Sequence, residues 1–143
     1  MRFDHIPART VRFWALLDSA VGGLVALPFG AQLFVGFVYW LNGLLGGTAT
    51  APVFEPFQLL FVCLMGALVT VWVAARLLHP TGLMAVIDGW GRSYIALLLV
   101  YFILVQDAPV VLWFFVFTEG IGAVAQLRAA YWPARPRMQD ARP

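Results

Sequence analysis

From Phe57 to Ala75 the chain runs 19 residues without a charged side chain, and it continues apolar to Leu78 past Arg76. An α-helix rises about 1.5 Å per residue, so roughly 20 such residues cross a hydrocarbon layer about 30 Å thick. Three further runs share this character. Phe13–Gly47 is interrupted only by Asp18, Gln32, Asn42 and small polar groups. Met84–Val105 carries Asp88 and Arg92 in its first half, and Ala108–Leu127 is broken by Glu119 alone. Backbone groups find no water in hydrocarbon, so these runs must be helices. Composition makes the same demand: 62% of the 143 residues are hydrophobic and 11% are charged, against roughly 45–50% and about 25% in a soluble domain. One soluble core of this size cannot hide so much apolar surface. The expected fold is all-α, an integral membrane antiparallel four-helix bundle. It occupies residues 1–132 as one domain, followed by an Arg/Pro-rich tail over 133–143 that lacks the apolar pattern of a core.

The arginines orient this bundle. All nine basic residues are arginine. Arg2, Arg9 and Arg12 precede the first run, Arg76 and Arg92 flank the link between the second and third, and Arg128, Arg135, Arg137 and Arg142 follow the fourth. The other two connections, Asn42–Pro56 and Gln106–Ala108, have no basic residue and carry Glu55 and Asp107. With four crossings, every arginine falls on or near one side, which the positive-inside rule assigns to the cytoplasm together with both termini. The net charge of +2 and pI of about 9.1 therefore speak for topology and anionic lipid, not for nucleic acid.

The same pattern bears on the 35-residue first run. As one straight helix it would reach about 52 Å, and splitting it into two crossings would place Arg76 and Arg92 opposite Arg9 and Arg12. The expectation is one span over about 12–34, extended or kinked near Pro28. Beyond it lies a continuation to about Leu45 that is oblique, re-entrant or interfacial. Pro52 and Glu55-Pro56 open the second helix. His79-Pro80-Thr81-Gly82 is a turn, and Pro109 opens the fourth helix, making the third and fourth adjacent and antiparallel.

The candidate site comprises the polar residues that are costly where they stand. Glu119 lies about 13 Å up the fourth helix from Arg128, Arg92 about 12 Å into the third run, and Asp18 about 9 Å past Arg12. A charge at such depth costs roughly 2.5–3.5 kcal/mol even on a lenient scale. Asp88 stands one turn before Arg92 on the same face, in the favourable order. These depths coincide, so Asp18, Asp88, Arg92 and Glu119 are expected to form one cluster in the cytoplasmic half. Arg92 faces Glu119, and Asp18 or Asp88 completes its hydrogen bonds. Thr70, Trp90, Tyr94 and Gln126 are possible supporting residues. Three uses are open to the cluster. It fixes helix register, or it lines a pocket for a headgroup, a proton or a quinone-like molecule, or Arg92 snorkels inward with Asp88 and leaves Glu119 for a partner. Small-xxx-small pairs at Ser19–Gly23, Gly43–Gly47, Gly89–Ser93 and Thr118–Gly122, with Gly66 and Ala67, permit close helix approach.

Several chemistries are excluded or unsupported. The lone Cys63 cannot pair within the chain or make a CxxC site. His5 and His79 both lie outside the apolar cores, which argues against a bis-histidine haem. No phosphate loop, zinc motif or nucleophile–base pattern occurs. No catalytic residue, metal or cofactor is therefore assigned.

The four-span plan, with Asp88-Gly-Trp-Gly-Arg92 entering the third helix and Thr118-Glu119 within the fourth, resembles the small bacterial DoxX-like inner-membrane proteins over roughly residues 12–130. That resemblance implies a compact bundle in the bacterial cytoplasmic (inner) membrane and an accessory role more readily than autonomous catalysis. The functional expectation is an accessory or scaffold subunit of a membrane system, in contact with membrane lipids and a membrane-protein partner or further copies of itself. The alternatives are a binder or carrier of a small lipid, quinone or proton-coupled solute, and a membrane lipid-modifying enzyme using Asp18, Glu119 and Arg92.

Overall fold

The computed structural model describes residues 3–132, so the tail expected over 133–143 lies outside the described residues. It contains α1 (Ala8–Val25), α2 (Pro28–Leu44), α3 (Pro56–Leu78), α4 (Gly82–Val105) and α5 (Leu112–Tyr131). Local chemistry sets most of these limits. Pro56 occupies the first turn of α3, where its missing N–H costs nothing, and the Gln58 side chain reaches back to accept from the Glu55 N–H at 3.1 Å. Pro80 prevents α3 from continuing past His79. Asp107 has φ 51°, a left-handed conformation that aspartate tolerates better than most residues, and it reverses the chain after α4.

The expected kink near Pro28 is a full break. Proline drives the preceding residue out of helical geometry, and Leu27 is extended at φ −105°, ψ 134°. Helices α1 and α2 are bent by 110° across the break, so the run expected as one kinked span over 12–34 is divided between two helices. Gly30 makes so sharp a corner possible, because a Cβ there would lie 2.1 Å from the Leu24 carbonyl oxygen. Helix α2 then crosses toward the start of α5. Phe34 meets Phe115 edge to face at 6.3 Å, and the fully buried Asn42 accepts from the Val111 N–H at 3.4 Å. A second boundary also differs from expectation. Pro109 opens a turn, its carbonyl accepting from the Leu112 N–H at 3.0 Å, and α5 begins at Leu112.

Packing divides the molecule into two antiparallel pairs, α1 on α3 and α4 on α5, with sparser contact between them. In the first pair Gly22 lies against Val69 and Thr70, and Gly66 receives the α1–α2 corner so closely that a Cβ would stand 2.3 Å from the Ala26 nitrogen. In the second pair Gly89 faces Leu127 and Gly122 faces the Arg92 side chain. Of the small-residue positions singled out in the sequence, Gly66, Gly89 and Gly122 thus serve close approach, while Gly23 and Gly43 face open space. Beside the start of α4 and the end of α5 a small apolar plug of Ile6, Val11, Ala85, Val86 and Ala130 touches both pairs. Helices α3 and α4 are each long and apolar enough to cross a membrane; α1 and α2 qualify only when taken together. None of α1, α2 or α5 does so alone.

Candidate functional site

In the half of the bundle nearer the α3–α4 link the two pairs meet at a buried ionic network. Asp18 comes from α1, Arg76 from α3, Asp88 and Arg92 from α4, and Glu119 from α5. The antiparallel register of each pair brings these residues level. Arg92 donates through Nε to Asp88 Oδ2 at 2.9 Å, through Nη1 to Glu119 Oε2 at 3.1 Å, and through Nη2 to Asp18. Arg76 donates through Nη2 to Asp18 at 2.6 Å and places Nη1 2.9 Å from Asp88 Oδ1. Trp72 Nε1 and Gln126 Nε2 also donate to Asp88, at 2.9 and 2.7 Å. Each guanidinium lies over an indole, with Arg92 Cζ 5.1 Å from the Trp14 ring centre and Arg76 Cζ 5.6 Å from that of Trp72. Such placement strengthens cation–π attraction where water is scarce.

The four residues expected to converge do so, and Asp18 and Asp88 both bind Arg92. Gln126 joins them. Thr70, Trp90 and Tyr94 lie elsewhere: the Thr70 hydroxyl donates to the Gly66 carbonyl of its own helix, the Trp90 indole approaches Tyr131 at 3.5 Å, and Tyr94 is exposed. Arg92 does not snorkel to the inner surface, since it is buried against Glu119.

Sequence reasoning missed Arg76, Trp72 and the inward role of Trp14. Arg76 had a sufficient explanation beside an inner link, yet its side chain is 1% exposed. One signal was available, because the Trp72–Arg76 spacing repeats that of Asp88–Arg92 and puts each pair on a single helix face.

Burial within the network is uneven. Arg76, Arg92 and Asp88 are almost wholly enclosed, whereas the Asp18 and Glu119 side chains are 23% and 21% exposed at the rim. Three carboxylates face two guanidinium groups, so the acids outnumber the cations by one. Arg76 Nε and Nη1 have no hydrogen-bond partner, so Nη1 meets Asp88 as an ion pair alone. Two open cavities, both beside the C-terminal end of α5, are lined by none of the five charged residues. Among the described residues no group of three or more His, Cys, Asp or Glu side chains could hold a metal ion. The arrangement is suited to holding helices together by charge, with two acids at its edge. No protein-family model, curated protein or solved structure matches the chain.

Proposed function

We propose that the chain is a multi-pass protein of the bacterial cytoplasmic membrane that acts as a non-catalytic accessory or scaffold subunit. The bent α1–α2 pair, α3, α4 and α5 make four crossings, with both termini on the cytoplasmic side. Its likeness to DoxX-like proteins is one of plan. The observation that carries this reading is that both buried arginines are neutralised within the chain by Asp18, Asp88 and Glu119. The helices meanwhile turn large apolar side chains outward along their length. A network closed on itself orders helices, and an apolar exterior suits lipid and other helices. Cross-linking in intact membranes followed by mass spectrometry tests the role. A single membrane-protein partner should appear at a fixed ratio and be lost in Asp88→Asn. Adducts with the chain itself alone would contradict the accessory role and leave a homo-oligomer.

A second reading has its own support in the unequal charge count and the two acids at the rim. On this reading Glu119 and Asp18 exchange a proton or meet a polar headgroup, as a carrier requires. Glu119→Gln should then change proton-coupled flux in vesicles while assembly stays intact. If Glu119→Gln only weakens assembly, the scaffold reading stands.

A further inference from the structure

The inner end of α5 presents a cation and an indole that the network does not use. Arg128 lies in the last turn of α5 and Trp132 caps the helix, its N–H donating to the Arg128 carbonyl at 2.8 Å, and both side chains are exposed. Among the described residues Arg128 forms no ion pair and no side-chain hydrogen bond, in contrast to Arg76 and Arg92. It lies in the last turn of α5, beside Tyr131 and Trp132. The face bearing Arg128 continues toward the outer side as Val124, Ile121 and Phe117, all more than half exposed. It is an apolar track ending in a positive charge.

Two cavities flank that charge, and Arg128 and Trp132 line both. One, of about 520 Å³, lies between α4 and α5, with Ser93, Ala123, Val124 and Leu127 as its walls. The side chains there are small or aliphatic, and the Ser93 hydroxyl is already bonded to the Gly89 carbonyl at 2.9 Å. The cavity therefore offers an apolar slot with one cation at its mouth. The other, of about 470 Å³, lies between α5 and the segment His5–Pro7. His5 Nε2 donates to the Ala129 carbonyl at 2.9 Å, which pins that segment against the helix and fixes the cavity wall.

We propose that this face binds an anionic phospholipid of the inner leaflet, with its phosphate on Arg128, its glycerol region beside Trp132 and one acyl chain in the α4–α5 slot. The proposal rests on the membrane reading and adds a specific lipid site to it. Charge complementarity selects the headgroup, since a zwitterionic lipid presents its own cation beside the phosphate. The apolar slot selects a lipid over a free phosphate ion. Basic pockets between helices on the cytoplasmic side are suited to such headgroups.

The full chain in nanodiscs of equimolar phosphatidylglycerol and phosphatidylcholine, released into native mass spectrometry, reports which lipid it retains. The wild type should keep phosphatidylglycerol in preference, and Arg128→Gln should reduce that preference roughly fivefold. Arg9→Gln, a change at an exposed arginine that lines neither cavity, should leave the preference intact. Inorganic phosphate should not displace the retained lipid. Equal retention of both lipids by the wild type, an equal loss in Arg9→Gln, or displacement by inorganic phosphate would each overturn the site while leaving the membrane reading in place. Failure of the wild-type chain to enter nanodiscs would overturn both.

Discussion

Three donors from three helices converge on the Asp88 carboxylate, Trp72 of α3, Arg92 of α4 and Gln126 of α5, and Arg76 of α3 adds an ion pair at 2.9 Å. Removing its charge takes one carboxylate contact from each of two enclosed guanidinium groups, and breaking a buried pair in this way costs about 3–5 kcal/mol. Glu119 sits at the rim and meets Arg92 alone within the network. Glu119→Gln keeps its shape and an acceptor oxygen, so its cost should be about 1 kcal/mol or less. Unfolding in a rising fraction of denaturing detergent, followed by tryptophan fluorescence, should show Asp88→Asn far less stable than Glu119→Gln. Equal losses would contradict the assigned geometry. The convergence of Asp18, Asp88, Arg92 and Glu119 was legible because each is costly in hydrocarbon and helix rise converts sequence distance into depth. Arg76 was not, because an arginine beside an inner link already satisfies the charge rule without any buried contact. Trp14 and Trp72 were hidden for a related reason: nothing in an apolar run distinguishes an indole that anchors at the surface from one that lies beneath a guanidinium.

At the scale of elements, the corner between α1 and α2 decides how these two helices sit against α3. It fits against α3 only because Gly66 has no side chain, the nearest obstacle to a Cβ being backbone that cannot swing aside. Gly66→Ala should therefore cost about 1–3 kcal/mol in the same detergent titration. Gly120→Ala, where a Cβ would meet nothing within 4 Å, should be neutral or stabilise by up to about 1 kcal/mol. Equal behaviour of the two variants would argue against the corner's position. Pro28 marked this place in the sequence, but proline alone does not distinguish a kink from a break. Gly30 and Gly66 settle that only once the neighbouring backbones are known. The start of α5 at Leu112 was obscured similarly, since Pro109 serves the opening of a turn as well as that of a helix. The long apolar runs that became α3 and α4 were plain from periodicity-free hydropathy and flanking prolines.

For the whole molecule, the proposed topology places the link between α3 and α4 inside the cell and the segment between α2 and α3 outside. With Cys63 replaced by alanine, Thr50→Cys should react with an impermeant maleimide on intact cells, and Thr81→Cys only after lysis. The reverse pattern would overturn the orientation. The distribution of arginine made this expectation available from the sequence. The short link before α5 made the antiparallel α4–α5 pair readable there, but the pairing of α1 with α3 could not be read, because it depends on which helix faces pack and not on how many runs exist. Those pairs meet through the small apolar plug and through contacts that cross the joint, Arg92 with Asp18 and Trp14, and Asp88 with Arg76 and Trp72. The most direct test measures spin-label distances in the full chain, again with Cys63 replaced. One label pair spans the joint, at Val71 and Val124, and a second lies within the α1–α3 pair, at Leu16 and Val71; all three residues are exposed. Asp88→Asn should broaden the distance across the joint and leave the distance within the pair narrow. An unchanged distance across the joint, or equal broadening of both, would contradict the account.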